Sequence, residues 1–78
     1  MAANLYTVMT RDEAIEEFET SPYGGLQSAI RTYEADGIPD WPARREAWNN
    51  FTDMLCKDRR ISDWQYDNWS QPAVCDGD

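Results

Sequence analysis

One stretch constrains the fold of this chain more than any other: residues 41–69, WPARREAWNNFTDMLCKDRRISDWQYDNW. It holds all four tryptophans and five of the seven basic residues. Within it Ala43, Ala47, Trp48, Phe51, Met54 and Leu55 recur at three- and four-residue steps over about four turns, the period of a helix with one buried face. Asp40 stands ahead as the N-cap, with Pro42 in the first turn. The basic turn Lys57-Asp58-Arg59-Arg60 follows. Ser62 and Gln65 then form a capping box, with Ile61 and Tyr66 at the staple positions, so a second helix starts at Ser62. The stretch reads as a helical hairpin, with a helix over 41–57 and another over 62–69.

The rest of the chain supplies what packs on that hairpin. Thr10 and Glu13 form a first capping box and open a helix over 10–20, with Ala14, Ile15 and Phe18 on its apolar face. Ser21-Pro22 reads as the start of a helix over 22–36, which Gly37 and Pro39 end. Leu26, Ala29, Ile30 and Tyr33 are its periodic apolar residues. Residues 1–9 contain the short β-prone run NLYTVM, which has no partner strand and reads as an extended arm. Residues 73–78 read as a frayed acidic tail. The expected fold is therefore all-α: one domain, a small bundle of three to four short helices with an extended N-terminal arm. A 78-residue chain buries only about 60–65% of its unfolded surface, and its ten aromatics are the expected compensation.

Composition narrows the chemistry. Without histidine and with only Cys56 and Cys75, a structural zinc site lacks its ligands. Asp36 and Asp40 lack calcium-loop spacing. A nucleophile would have only a carboxylate or the single lysine as its base. Pairs such as Glu13/Glu17 and Asp63/Asp67 are what any acidic helix offers. No enzyme, cofactor or metal is expected. Cys56 falls on an apolar helix face and Cys75 in the tail, so the reading is one core thiol and one exposed thiol rather than a disulfide. Apolar runs reach only two or three residues, which predicts a soluble, cytoplasmic protein without a membrane span.

Charge is uneven. Residues 1–40 carry two arginines against eight acids, residues 41–61 five bases against three acids, and residues 62–78 four aspartates and no base. Helices 41–57 and 62–69 have the outline of a helix-turn-helix, but the second carries Asp63 and Asp67 where phosphates would approach, so direct nucleic-acid binding is disfavoured. The expected partner is a protein with a basic surface, steered by Glu13, Glu16 and Glu17 in the first helix and by Asp63 and Asp67 in the last. Trp41 and Trp69, near helix ends, are the tryptophans expected to be exposed as anchors. Arg44 and Arg45 oppose their own helix dipole and are expected to pair with the acidic first helix. The competing readings are a self-associating helical module that forms a homodimer, and a small DNA-binding regulator.

The hairpin also resembles a known module. Ala47, Trp48, Phe51, Asp53, Met54, Leu55, Lys57 and Asp58, followed by Ile61, Ser62, Trp64, Gln65, Tyr66, Trp69 and Pro72, are similar to a pattern shared by small bacteriophage-encoded proteins of unknown function. The likeness covers roughly the last third of the chain. Arg59 stands where that pattern has glycine, so a different turn geometry is expected. No functional residue carries over. The resemblance implies a phage accessory protein that binds and inhibits or modulates a host or anti-phage defence protein, at its nucleic-acid-binding site in the charge-mimic version.

Overall fold

The computed structural model describes residues 8–77, and they contain helix and no strand. Helix α1 spans Arg11–Thr20, α2 Leu26–Tyr33, α3 Trp41–Lys57 and α4 Asp63–Asn68, and a short 3₁₀ turn spans Ala73–Cys75. The expected arm over 1–9 lies mostly outside the described residues. Of it, Met9 is fixed by two bonds: its amide donates to the Arg60 carbonyl (2.9 Å) and its carbonyl accepts from Gln65 Nε2 (2.8 Å).

Helix α3 is the scaffold, and every other described element packs on it. Its buried face is Trp48, Phe51, Thr52 and Leu55, while Ala43 and Ala47 are half-buried and Met54 is exposed. Met54 was expected in the core. Thr52 takes an inner place because its hydroxyl donates within the helix, to the Trp48 and Asn49 carbonyls, and so enters the interior satisfied. Phe18 from α1 reaches across to this face. Its ring meets Trp48 edge-on at 5.2 Å between centroids and Phe51 at 5.5 Å. Leu26, Ile61 and Cys75 close the core around them.

Both capping boxes form. Thr10 and Glu13 exchange side-chain and backbone bonds at the start of α1, and Ser62 and Gln65 do the same at the start of α4. Asp40 caps α3 through the Ala43 amide (3.1 Å). The second helix is shorter than the expected 22–36. Ser21 ends α1 and spends its hydroxyl on the Tyr23 amide and carbonyl, not on a new helix. Gly24 then adopts φ 69, and Gly25 passes the Phe18 carbonyl so closely that a Cβ there would sit 2.6 Å from its oxygen. Only after that crossing can the chain coil. At the far end Glu34 caps the helix, its amide donating to the Ile30 carbonyl, and Gly37 at φ 83 turns the chain away.

The Glu34 carboxylate is a structural hub. Arg44 grips Glu34 with two parallel bonds, Nε to Oε2 at 2.7 Å and Nη2 to Oε1 at 2.8 Å, and the Asp40 amide adds a third at 3.1 Å. Arg44 also donates to the Val74 carbonyl (3.1 Å) and lies 4.8 Å over the Trp41 ring. Arg45 holds the carbonyls of Cys75 and Gly77. The expected pairing of these arginines with α1 is thus corrected: they bind the end of α2 and the C-terminal segment. Consequently residues 73–77 are not a frayed tail. They are strapped to α3, with Cys75 fully buried, its thiol donating to the Arg44 carbonyl at 3.3 Å.

In the α3–α4 turn Arg59 adopts φ 61, in the left-handed region. A residue with a Cβ pays about 1–2 kcal/mol for that conformation.

Candidate protein-interaction surface

The α1 carboxylates converge where the sequence placed them. Glu13, Glu16 and Glu17, with Val8, Met9 and Arg60, line an open cleft of about 470 Å³. Helical spacing puts positions 13, 16 and 17 on one face, opposite the buried Ala14 and Phe18. The three acids are not equivalent. Glu13 Oε1 accepts the Thr10 amide (2.8 Å) and belongs to the cap. Glu17 grips Arg60 through both oxygens (2.8 and 2.9 Å), which holds the Arg60 guanidinium above its ordinary pKa. Glu16 is exposed and its carboxylate has no partner among the described residues. The Arg60–Glu17 pair is itself half-exposed, so it contributes little to stability, roughly 0–1 kcal/mol, and can exchange for an incoming cation. No sequence signal marks this pair, since its members stand 43 positions apart.

The second acidic set is committed differently. Asp63 accepts from Cys56 Sγ at 3.2 Å, and Asp67 lies one turn on along the exposed face of α4. The Cys56 thiol is raised above its ordinary pKa, first by that bond, then by partial burial, and further by the negative field of Asp63, Asp53 and Asp67.

The tryptophans exchange their expected roles. Trp41 and Trp69 are half-buried: Trp41 is covered by Arg44 and by Gly77, where a Cβ would come within 2.3 Å of the ring, and Trp69 packs on the core. The exposed one is Trp64, at 68%. The sequence held the signal for this. Ile61, Gln65 and Trp69 share one helix face, and Trp64 falls off it. With Cys56, Lys57, Arg59 and Ile61 it lines an open cleft of about 540 Å³ at the α3–α4 corner. The thiols also exchange places. Cys75 is the core thiol, pushed up to about 11 by burial, and Cys56 is the accessible one. Under native conditions a disulfide-exchange reagent is expected to titrate one thiol per chain, slowly, and two after denaturation. Asp63→Asn is expected to speed the native reaction by freeing the Cys56 proton. Native titration of both thiols at equal rates would contradict this placement.

Among the described residues no group of three or more His, Cys, Asp or Glu side chains is arranged to hold a metal ion. None of their helices is long and apolar enough to cross a membrane. No family model, curated protein or solved structure matches the chain.

Proposed function

We propose that this chain is a non-enzymatic binding protein that docks a basic protein surface into the α1 cleft and modulates that partner. The observation that carries the reading is the cleft itself: three glutamates on one helix face beside the apolar Val8 and Met9, with Glu16 uncommitted. Opposite charge steers encounter and fixes register, and the apolar floor supplies contact area. Net charge of −8 favours approach to a basic protein over approach to nucleic acid. The partner proposed is a host or anti-phage defence protein, bound at its nucleic-acid-binding site if the carboxylates stand in for phosphates; the sequence resemblance to phage-encoded proteins is what suggests that class.

Affinity capture from a bacterial lysate tests this. Wild type is expected to retain a basic protein, and Glu16→Lys is expected to retain about tenfold less of it, with an unchanged circular-dichroism spectrum. A captured partner that is indifferent to Glu16→Lys would overturn the assignment of the cleft.

A further inference from the structure

The C-terminal segment is held to the helices by side chains. Among the described residues no backbone–backbone hydrogen bond joins residues 70–77 to a helix. The two that the segment makes, from the Cys75 amide to the Pro72 carbonyl and from the Asp76 amide to the Ala73 carbonyl, lie within it. Six bonds from arginine side chains to its main-chain carbonyls tie it down. Arg11 on α1 holds Ser70 (3.1 and 3.2 Å) and Gln71 (3.1 Å), Arg44 on α3 holds Val74 (3.1 Å), and Arg45 holds Cys75 (3.2 Å) and Gly77 (3.0 Å). The Cys75 thiol adds one bond back, to the Arg44 carbonyl (3.3 Å). Pro72 and Cys75 are the buried residues of the segment, and Gly77 lies against the Trp41 ring. Arg11 and Arg45 have no salt-bridge partner among the described residues, so this segment is what they hold.

We infer that residues 70–77 form a releasable strap, which lifts off α1 and α3 as one unit while the four helices stay folded, uncovering Trp41 and freeing the Arg11 and Arg45 guanidiniums. The helices hold themselves through their own backbone ladders, and the strap contributes no backbone bond to any of them, so its departure breaks none. Arg44 keeps both of its bonds to Glu34 when the strap leaves, so no buried charge is stranded. What opposes release is a small apolar anchor, Pro72 and Cys75, the latter set in the core with Phe18, Trp48 and Phe51. Segments with few buried apolar side chains and no share in a helix ladder open at the low end of the range of local stabilities. Opening also decides the chemistry of Cys75. Burial holds its thiol up at about 11 in the closed form, whereas the freed thiol reacts as an ordinary one. In a chain of net charge −8 the face released is aromatic and basic. None of the residues lining the α1 cleft belongs to the strap, so this device goes beyond the binding reading above and works independently of it.

Thiol labelling of the full chain with a disulfide-exchange reagent over a urea series tests it, with mass spectrometry assigning the label to Cys75. The labelling rate of Cys75, divided by its rate in the denatured chain, gives the fraction open. Urea unfolding followed by circular dichroism gives the fraction globally unfolded. Without urea the open fraction is expected to exceed the unfolded fraction about 100-fold, and to rise with urea at about a fifth of the global slope, since little surface is exposed. Leu26→Ala, in the core part of α2, is expected to raise the unfolded fraction at least about 30-fold while leaving the open fraction within about twofold. Arg45→Gln is expected to raise the open fraction about tenfold, because it removes two of the bonds that keep the strap closed. Equal open and unfolded fractions at every urea concentration overturn the inference, as does a Leu26→Ala chain in which both rise alike. An open fraction near one without urea overturns it from the other side, because the strap is then not closed. Labelling of Cys75 that is indifferent to Arg45→Gln overturns the arginine clasp and the inference with it.

Discussion

Phe18→Ala is expected to lower the unfolding free energy by about 4 kcal/mol, within the range for truncating a buried phenylalanine. Phe18 is fully buried, and its ring joins α1 to both Trp48 and Phe51. Removing it leaves a cavity at the point where three aromatics meet, and α1 then keeps mainly its surface bonds, Arg11 to the Ser70 carbonyl and Glu17 to Arg60. The other fully buried side chain of α1 is Ala14. A domain of this length has a total stability of roughly 4–12 kcal/mol, so the variant is expected to be near the edge of folding at 25 °C. Thermal and urea unfolding followed by circular dichroism read the loss, with a fall in melting temperature of about 15 °C or more. Trp64→Ala serves as the control, because an exposed ring away from the core changes monomer stability by no more than about 0.5 kcal/mol. Equal losses for the two aromatics would contradict the packing described.

Arg44→Met is the second large effect, with an expected loss of about 3 kcal/mol. The guanidinium is only 13% exposed and Glu34 6%, so the substitution strands a carboxylate that solvent reaches poorly. It also cuts the tether to the Val74 carbonyl, and with it part of the strap that keeps Cys75 inside. The same variant is therefore expected to expose the second thiol to reagent under native conditions, a readout that a uniform loss of stability would not single out. The pair has a pH signature as well. Hydrogen bonding from Arg44 holds Glu34 below its ordinary value of 4.5, partly opposed by burial. A depressed carboxylate contributes its stability above the unfolded-state pKa and loses it as pH falls through the folded one. Wild type is thus expected to lose stability below about pH 4.5 more steeply than Arg44→Met. Parallel acid-unfolding curves would contradict the role given to the pair.

Much of the fold was legible because its signals are local. The two capping boxes, the Asp40 cap and the α3 period each lie within a few residues of the structure they specify, and all of them form. The departures come from contacts between distant residues. Nothing near Ser21-Pro22 reveals that Gly25 must slide past the Phe18 carbonyl, which delays the start of α2 to Leu26. Arg44 and Arg45 looked unfavourable at the start of their own helix, yet their partners are Glu34 and the carbonyls of residues 74, 75 and 77. That strap turns an apparent tail into core and reverses the roles of the two cysteines. For the interaction surface, helical spacing alone placed Glu13, Glu16 and Glu17 together. Closeness to a helix end points to Trp41 and Trp69, whereas position on the helix face, which decides exposure, points to Trp64.

The α1 cleft is the face proposed for a basic partner, with the α3–α4 corner as the competing one. A single titration decides between them. The captured partner, titrated at two salt concentrations against wild type, Glu16→Lys and Trp64→Ser, reports which of the two clefts carries the contact. The expected result is salt-sensitive binding that falls about tenfold with Glu16→Lys and keeps its per-chain affinity with Trp64→Ser. Binding lost with Trp64→Ser and unchanged with Glu16→Lys would contradict the account, and would move the partner site from α1 to the α3–α4 corner.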